Sequence, residues 1–354
     1  MEKVIFKEQN EEIFWKYWGV YLAKNEVSPK YLESTIKYLL AISGGNSFLY
    51  KDKSFIYLQE DGKVSCVFLP IEKKNGECSV TFNGDFAPAP IFDSDKKLER
   101  KTFALIDQLA SENNVSKIMF SVDPLESVRY PFNYLQKYGY LDASLLVYFI
   151  DTRPQNLLKA CRDRFQRTIK SVLKNNDFSV FYTDKNNPDR KLHREYETLH
   201  HKCSGRITRP QETFDIQYEE LKNGNAVLFG LKYKDKNVAY LYCKHNGGKA
   251  LTASAADDPD YDRLPLYHPL MYSAMEYYKK KGVDLIDTGQ PSAPSAQFLY
   301  YPDEKQFNIG HFKHGFSGDF MQNFRGIKYF SEKQFKQDLD YFRTNIRISQ
   351  NTTK

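Results

Sequence analysis

Between residues 54 and 287 the chain runs twice through one order of elements, and this recurrence limits its possible folds more than any single motif does. In the first pass, the strand-like runs 54–59 (SFIYLQ) and 63–70 (KVSCVFLP) flank Asp61-Gly62, a dipeptide suited to the positive φ of a tight hairpin. A third strand at 78–82, a long amphipathic helix at 95–113 and a strand at 117–122 follow. In the second pass, strands at 226–232, 237–244 and 249–255 are joined by a KDK turn and by Asn246-Gly247-Gly248. A helix at 265–281 then stops at Gly282, and a strand at 283–287 closes the set. The residues of the two passes are unlike, so what repeats is architecture. It predicts an α/β (α+β mixed-sheet) protein of two lobes, 1–150 and 151–354, with the cleft between them as the natural ligand site.

The remaining segments fit around this frame. Phe14, Trp15, Trp18, Tyr21 and Leu22 recur at helical spacing over 11–24. Ser28 and Pro29 are the cap and first residue of a helix predicted over 29–42, with Gly44-Gly45 as its stop. The stretch 83–92 (NGDFAPAPIF) is too rich in Pro for a helix or a central strand. A helix near 127–138 and a strand at 144–150 complete the first half. The second half opens on one helix predicted over 154–176, with Leu158, Cys161, Phe165, Ile169 and Val172 on one face. Arg167, Lys170 and Lys174 lie opposite; this face is either simply solvated or a cationic wall for phosphates. A strand at 178–182 and helices near 188–204 and 210–223 precede the second pass.

Composition narrows the function classes. A net charge of +6 permits an anionic partner without demanding one, and a dedicated nucleic-acid binder carries a denser basic patch. The 15% aromatic share suits wet clefts as well as cores. Five Cys, at 66, 78, 161, 203 and 243, show no metal-type spacing, and reduced thiols in a cytoplasmic protein are the expectation. His200, His201 and Cys203 read as structural, so no metal is expected. The start, MEKVIFKEQNEE, has no apolar signal-peptide region, and LLVYFI at 145–150 is far too short to span a bilayer. GFSGD at 315–319 is not the G-x-S-x-G of a nucleophile elbow, because Asp319 stands at the last Gly position.

Two late stretches carry the chemistry: ALTASAADDPDYDRLPLYHPLMYSAMEYYKKKGVDLIDTG, ending at Gly289, and NIGHFKHGFSGDF at 308–320. In that order they resemble the C-terminal half of the Fem-type aminoacyltransferases, the FemAB-like branch of the GNAT superfamily. RFQRTIK, with Arg164, Arg167 and Lys170, is similar to that family's Arg-rich helix, and NGDFAPAPIF stands where the family carries an acceptor-facing loop. The resemblance implies two tandem GNAT-like lobes and transfer of an acyl group, often aminoacyl from tRNA, onto an amine of a peptidoglycan or other cell-envelope precursor. On it, Lys313 matches the functional Lys and Phe312 its aromatic neighbour, while Asp85 and Phe86 fall on the acceptor side. An ammonium fixed there can stabilise the oxyanion formed when an amine attacks an ester or thioester, or can hold a donor phosphate.

A base for the attacking amine would come from His311, His314, Asp257, Asp258, His268 or Asp287. Acetyl-CoA-dependent GNATs carry a Gly-rich turn before the long helix; here DYDRLPLYHP has none, which leaves Arg263 as a side-chain contact for a pyrophosphate. Three readings stand. Aminoacyl-tRNA donates to a muropeptide or related precursor, or acyl-CoA donates to an amine of a surface glycan, in both cases with no tightly bound cofactor. Alternatively, the chain is a catalytically inactive two-lobe binder of an anionic envelope precursor. A lipid-linked acceptor would bring transient contact with a membrane surface. The stretch 290–307, with PSAPSA at 291–296, reads equally as a lid or as a loop.

Overall fold

The computed structural model describes residues 2–351 except 47, 128–129 and 292–296, so most of PSAPSA lies outside the described residues. The helix Glu11–Lys24 begins where the Asn10 side chain accepts the Ile13 N–H at 3.0 Å. It buries Phe14, Trp15, Trp18 and Tyr21 on a sheet ordered Lys3–Phe6, Phe55–Leu58, Val64–Val67 and Ile91–Phe92. Gly62, at φ +83°, makes the expected hairpin turn, pairing Phe55 with Val67 and Leu58 with Val64. A second sheet of the first lobe runs Leu141–Asp142, Arg325–Tyr329, Val115–Ser121, Glu77–Val80, Pro70–Lys74, Leu49–Asp52. Phe103 and Ile106 of the helix Lys96–Glu112 join the same core.

The second lobe is one sheet in the order Phe178–Thr183, Ala226–Tyr233, Lys236–Asn246, Lys249–Asp257, Leu285–Pro291, Leu145–Asp151, Gly318–Asn323. Alternation along Ala226–Tyr233 divides its two faces. Val227, Phe229 and Leu231 pack with Ile169, Leu270 and Ala274 of the helices Asp163–Lys174 and Tyr267–Lys280. Ala226 and Leu228 pack with Tyr196, Phe214 and Leu221 of the helices Arg190–Ser204 and Gln211–Lys222. Among the described residues, no helix is long and apolar enough to cross a membrane.

Four expectations change. The division at residue 150 does not separate the sheets: Leu145–Asp151 lies between Leu285–Pro291 and Gly318–Asn323, so its backbone groups are satisfied by second-lobe strands. Conversely, Arg325–Tyr329 crosses back and pairs with Val115–Ser121 in the first lobe. The helix expected over 29–42 is a single turn, Pro29–Tyr31, then Glu33–Gly45, broken at Leu32 in extended geometry (φ −60°, ψ 142°). The helix expected near 127–138 is replaced by Pro124–Ser127 and the short turn Tyr134–Tyr138; Pro131 forbids continuity between them. The helix expected over 154–176 splits into Leu157–Ala160 and Asp163–Lys174.

A buried ion pair of the second lobe is tied to the first by a hydroxyl. Lys244 Nζ lies 2.7 Å from Glu220 Oε1 and 3.1 Å from the Thr35 hydroxyl of the first lobe, and Tyr242 O–H donates to the other Glu220 oxygen at 2.7 Å. Lys244→Met strands a buried carboxylate against the first lobe and is expected to cost about 3–5 kcal/mol in chemical denaturation.

Candidate active site

The site is built on a fork in the second sheet. Lys249–Asp257 and Leu285–Pro291 pair in parallel only where Lys249–Leu251 face Leu285–Asp287. On its other side, Leu285–Pro291 bulges: Asp287 stands opposite Phe149 and Pro291 opposite Val147, leaving residues 288–290 against Tyr148. Gly289 takes φ +67° there, a conformation that explains the Gly of Asp-Thr-Gly. The Thr288 hydroxyl donates to Tyr148 O at 2.7 Å, and the Thr288 carbonyl accepts from Thr252 Oγ1 at 3.2 Å. Lys313 Nζ donates to that same carbonyl, so its ammonium closes the fork.

Lys313 is carried by the helix Glu304–Lys313, opened by a capping box in which Asp303 accepts the Gln306 N–H and Gln306 Oε1 accepts the Asp303 N–H. The turn after the helix docks on the break at Cys161–Arg162, where Arg162 N–H donates to Gly315 O at 2.9 Å. Phe165 lies so close over Gly315 that a Cβ there would sit 2.0 Å from its ring. The helix split and the Gly of F-K-H-G-F are thus one feature.

Burial pushes the Lys313 ammonium down to about 8, with Asp287 pulling the other way. The Asp287 carboxylate is itself buried, accepting Gly289 N–H at 2.7 Å and Lys30 Nζ at 2.7 Å. Lys30 also reaches Asp123 at 2.9 Å. Burial opposes its charge, but the two carboxylates outweigh this and hold its ammonium above the usual range. Asp287 is therefore a counter-ion between two lysines, not a free base.

Two of the cavities along the Lys313 helix are lined by arginines. One, of about 460 Å³, lies within the second lobe and is lined by Arg162, Arg164, Phe165, His268, His311 and Phe312. His268 packs edge-on to Phe165 at 4.5 Å and to Phe312 at 5.0 Å; burial, then Arg164, holds it below its ordinary pKa. The other, of about 450 Å³, opens between the lobes, with Asp85, Met119 and Arg325 from the first and Gly289, Tyr300 and Gln306 from the second. Gln306 and Phe312 face different cavities, so one helix forms the wall between them.

Of the residues singled out in the sequence, Arg164, His268, His311 and Phe312 converge on the first cavity, and Asp85 lines the second. Phe86 is buried beneath Arg325. The His314 ring lies 4.7 Å from Tyr148 and 4.8 Å from Phe320, and burial lowers its pKa. Others stand apart. Arg167, Lys170 and Arg263 are exposed and line neither cavity. Asp257 accepts the Tyr267 O–H at 2.7 Å. Asp258 is buried but ion-paired to Lys202 and Lys236, whose hydrogen bonds outweigh burial and hold it at about 2. His200 and His201 pack on Phe214, and among the described residues no group of three His, Cys, Asp or Glu could hold a metal. Lys30, Arg162, Thr288 and Arg325 had no signal in the sequence; only the fold brings Lys30 to Asp287, 257 positions away.

The fork, the paired lobes and the late Lys-bearing segment belong to a fold similar to that of tandem GNAT proteins. No family model and no curated protein matches the sequence. Among solved structures it is similar to FemX, with a TM-score of 0.58 and 13% identity over 84% of this chain and 92% of that one. L-PGS from Bacillus licheniformis gives 0.57 and 13% over 93% and 96%. A tandem GNAT protein from the clavulanic acid biosynthesis pathway gives 0.50 and 11% over 93% and 98%.

The depressed Lys313 ammonium fixes a pH dependence. Between about 8 and 10.5 the unfolded chain binds the proton that the folded chain has released, so this group makes stability rise with pH across that window. Denaturation midpoints of the wild type and Lys313→Met, compared from pH 7 to 10.5, are expected to show the rise only in the wild type. Lys30→Met leaves the Asp287 charge less neutralised and is expected to move the start of the rise above pH 8.

Proposed function

We propose that the chain is a cytoplasmic N-acyltransferase that moves an aminoacyl or acyl group from an activated donor to an amine of a cell-envelope or surface-glycan precursor. The observation that carries this reading is the placement of the Lys313 ammonium at the strand fork, on the helix that walls a basic, aromatic cavity from the inter-lobe cleft. The donor lies in the first cavity, its phosphate facing Arg162 and Arg164, and the acceptor amine enters from the cleft. Attack forms a C–N bond and places charge on the carbonyl oxygen. The Lys313 ammonium, largely protonated at pH 7 yet a stronger acid than an ordinary lysine, stabilises that oxyanion. Collapse expels the ribose hydroxyl or thiol, which takes a proton. His268, kept neutral by burial and Arg164, and the exposed His311 line the donor cavity and supply the base.

Of the two donors, an aminoacyl-tRNA is favoured by the turn before the helix Tyr267–Lys280. Its amides are already spent: Asp260 N–H donates to Asp258 Oδ1, Tyr261 to Asp258 O, Asp262 to Pro259 O, Leu264 to Tyr261 O and Leu266 to Leu264 O. Few are left to cradle a CoA pyrophosphate. The exposed Arg167, Lys170 and Lys174 extend the cationic edge outward, as a polynucleotide backbone requires. FemX and L-PGS give the analogy on the side of the fold.

Filter binding to charged tRNA at two salt concentrations, beside thermal shift with CoA and acetyl-CoA, tests the donor. Salt-sensitive tRNA retention without a CoA shift is expected, and a CoA shift alone would move the reading to acyl-CoA. In a turnover assay with the bound donor, Lys313→Ala is expected to lower kcat by about 10²–10³-fold with acceptor KM little changed. Unchanged turnover would remove Lys313 from the chemistry. Acceptor binding with no turnover in the parent would return the chain to the inactive-binder reading.

A further inference from the structure

Arg325 opens the strand that crosses back into the first lobe, and its side chain is 7% exposed. No hydrogen bond satisfies its Nε. The nearest carboxylate among the described residues is Asp85, 3.8 Å from Nη2, and that side chain is 78% exposed and accepts its neighbour Phe86 N–H. Such a pairing is long and screened, and does not balance the removal of a guanidinium from water. What supports the group is the Phe86 ring, 3.5 Å from its central carbon. A cation–π contact falls well short of the cost of burying a charge. Burial accordingly draws Arg325 down to about 10. The same side chain lines the inter-lobe cavity, together with Tyr301.

A ring-backed guanidinium, held rigid and left without a full counter-charge at a cavity wall, is a receptor for a planar or tetrahedral oxyanion, which its fork of donors fits in two-point fashion. We propose that Arg325, seated on Phe86, binds an oxyanion group of the acceptor, a phosphate or a carboxylate, in the cleft between the lobes. Calling this ligand the acceptor rests on the acyl-transfer reading; the anion site itself does not. Gly289 lines the same cavity and follows Thr288, whose carbonyl holds Lys313, so an acceptor anchored at Arg325 has its other end directed at the fork. The first lobe thereby contributes the grip and the second the chemistry.

The test uses the full chain without any donor. Thermal midpoints are followed in inorganic phosphate, in succinate and in chloride of equal ionic strength, for the wild type, Arg325→Met and Arg325→Lys. The wild type is expected to gain stability in phosphate, in succinate or in both, and the anion that acts identifies the group the site takes. Arg325→Met, having lost a poorly compensated buried charge, is expected to be at least as stable as the wild type in chloride and to lose the anion response. Arg325→Lys keeps the charge without the fork and is expected to bind roughly 10- to 100-fold more weakly. No anion-specific response in the wild type, or an equal one in Arg325→Met, overturns the site. So does a marked loss of stability of Arg325→Met in chloride, which makes Arg325 a structural cation. A failed anion response leaves acyl transfer through Lys313 standing, and unchanged turnover in Lys313→Ala leaves the anion site standing.

Discussion

One ammonium, that of Lys30, stands between two buried carboxylates, Asp123 of the first lobe and Asp287 of the second. Charges so enclosed hold position because separating them leaves an uncompensated ion in a poor solvent. The break of the 29–42 segment into two pieces exists to present this lysine: the Pro29–Tyr31 turn, capped by Ser28, aims it across the lobe boundary. Ser28 in turn donates to Asp123 at 2.9 Å, and Lys249 ties the beginning of the forked strand to Glu126 at 2.5 Å. The geometry around Asp287, and with it the field felt by Lys313, is therefore set by both lobes at once.

This arrangement divides labour along a single helix. Its Gln306 side belongs to the cleft and its Phe312 side to the basic cavity, while its last residue reaches the Thr288 carbonyl at the fork. The bulge at 288–290 turns that carbonyl away from the sheet ladder, and Gly289 makes the turn sterically free. A strand irregularity, a glycine and a desolvated lysine thus act together, and none is interpretable without the others. Asp287, attractive as a base from its place at a strand end, serves instead to keep that lysine a cation.

The elements with strong local periodicity were legible from the chain: Glu11–Lys24 matches its apolar spacing, and the Asp61-Gly62 hairpin forms as its dipeptide demands. The order of strands and helices was legible as well, but not that the first lobe divides its strands between two sheets while the second holds them in one. Pairing was not legible, because Leu145–Asp151 looks like any buried strand and nothing in it states which sheet will satisfy its backbone. Helix breaks at Leu32 and Cys161–Arg162 were missed because their causes are tertiary, a cross-lobe ion pair and a docking turn at Gly315. The site divided in the same way. Lys313, Phe312, His311 and His268 lie in or beside short motifs and could be singled out from the chain, whereas Lys30 and Arg325 gain meaning only from partners or cavities supplied by distant segments. Arg167 and Lys170 satisfied the pattern of a cationic wall but face outward, since an amphipathic helix tells which side is wet and not what stands in front of it.

The exchange of strands has a consequence in time. A ribosome delivers the chain from its first residue, yet the first lobe's second sheet lacks an inner strand until Arg325–Tyr329 has been made. Until then Val115–Ser121 presents an open edge, and Leu145–Asp151, although already synthesised, awaits both of its neighbours. The second lobe has all its strands once Asn323 is made, whereas the first lobe waits with an open edge until the residues just after it follow. The crossing that delivers Arg325 to the cleft thus makes completion of the first lobe follow synthesis of the second.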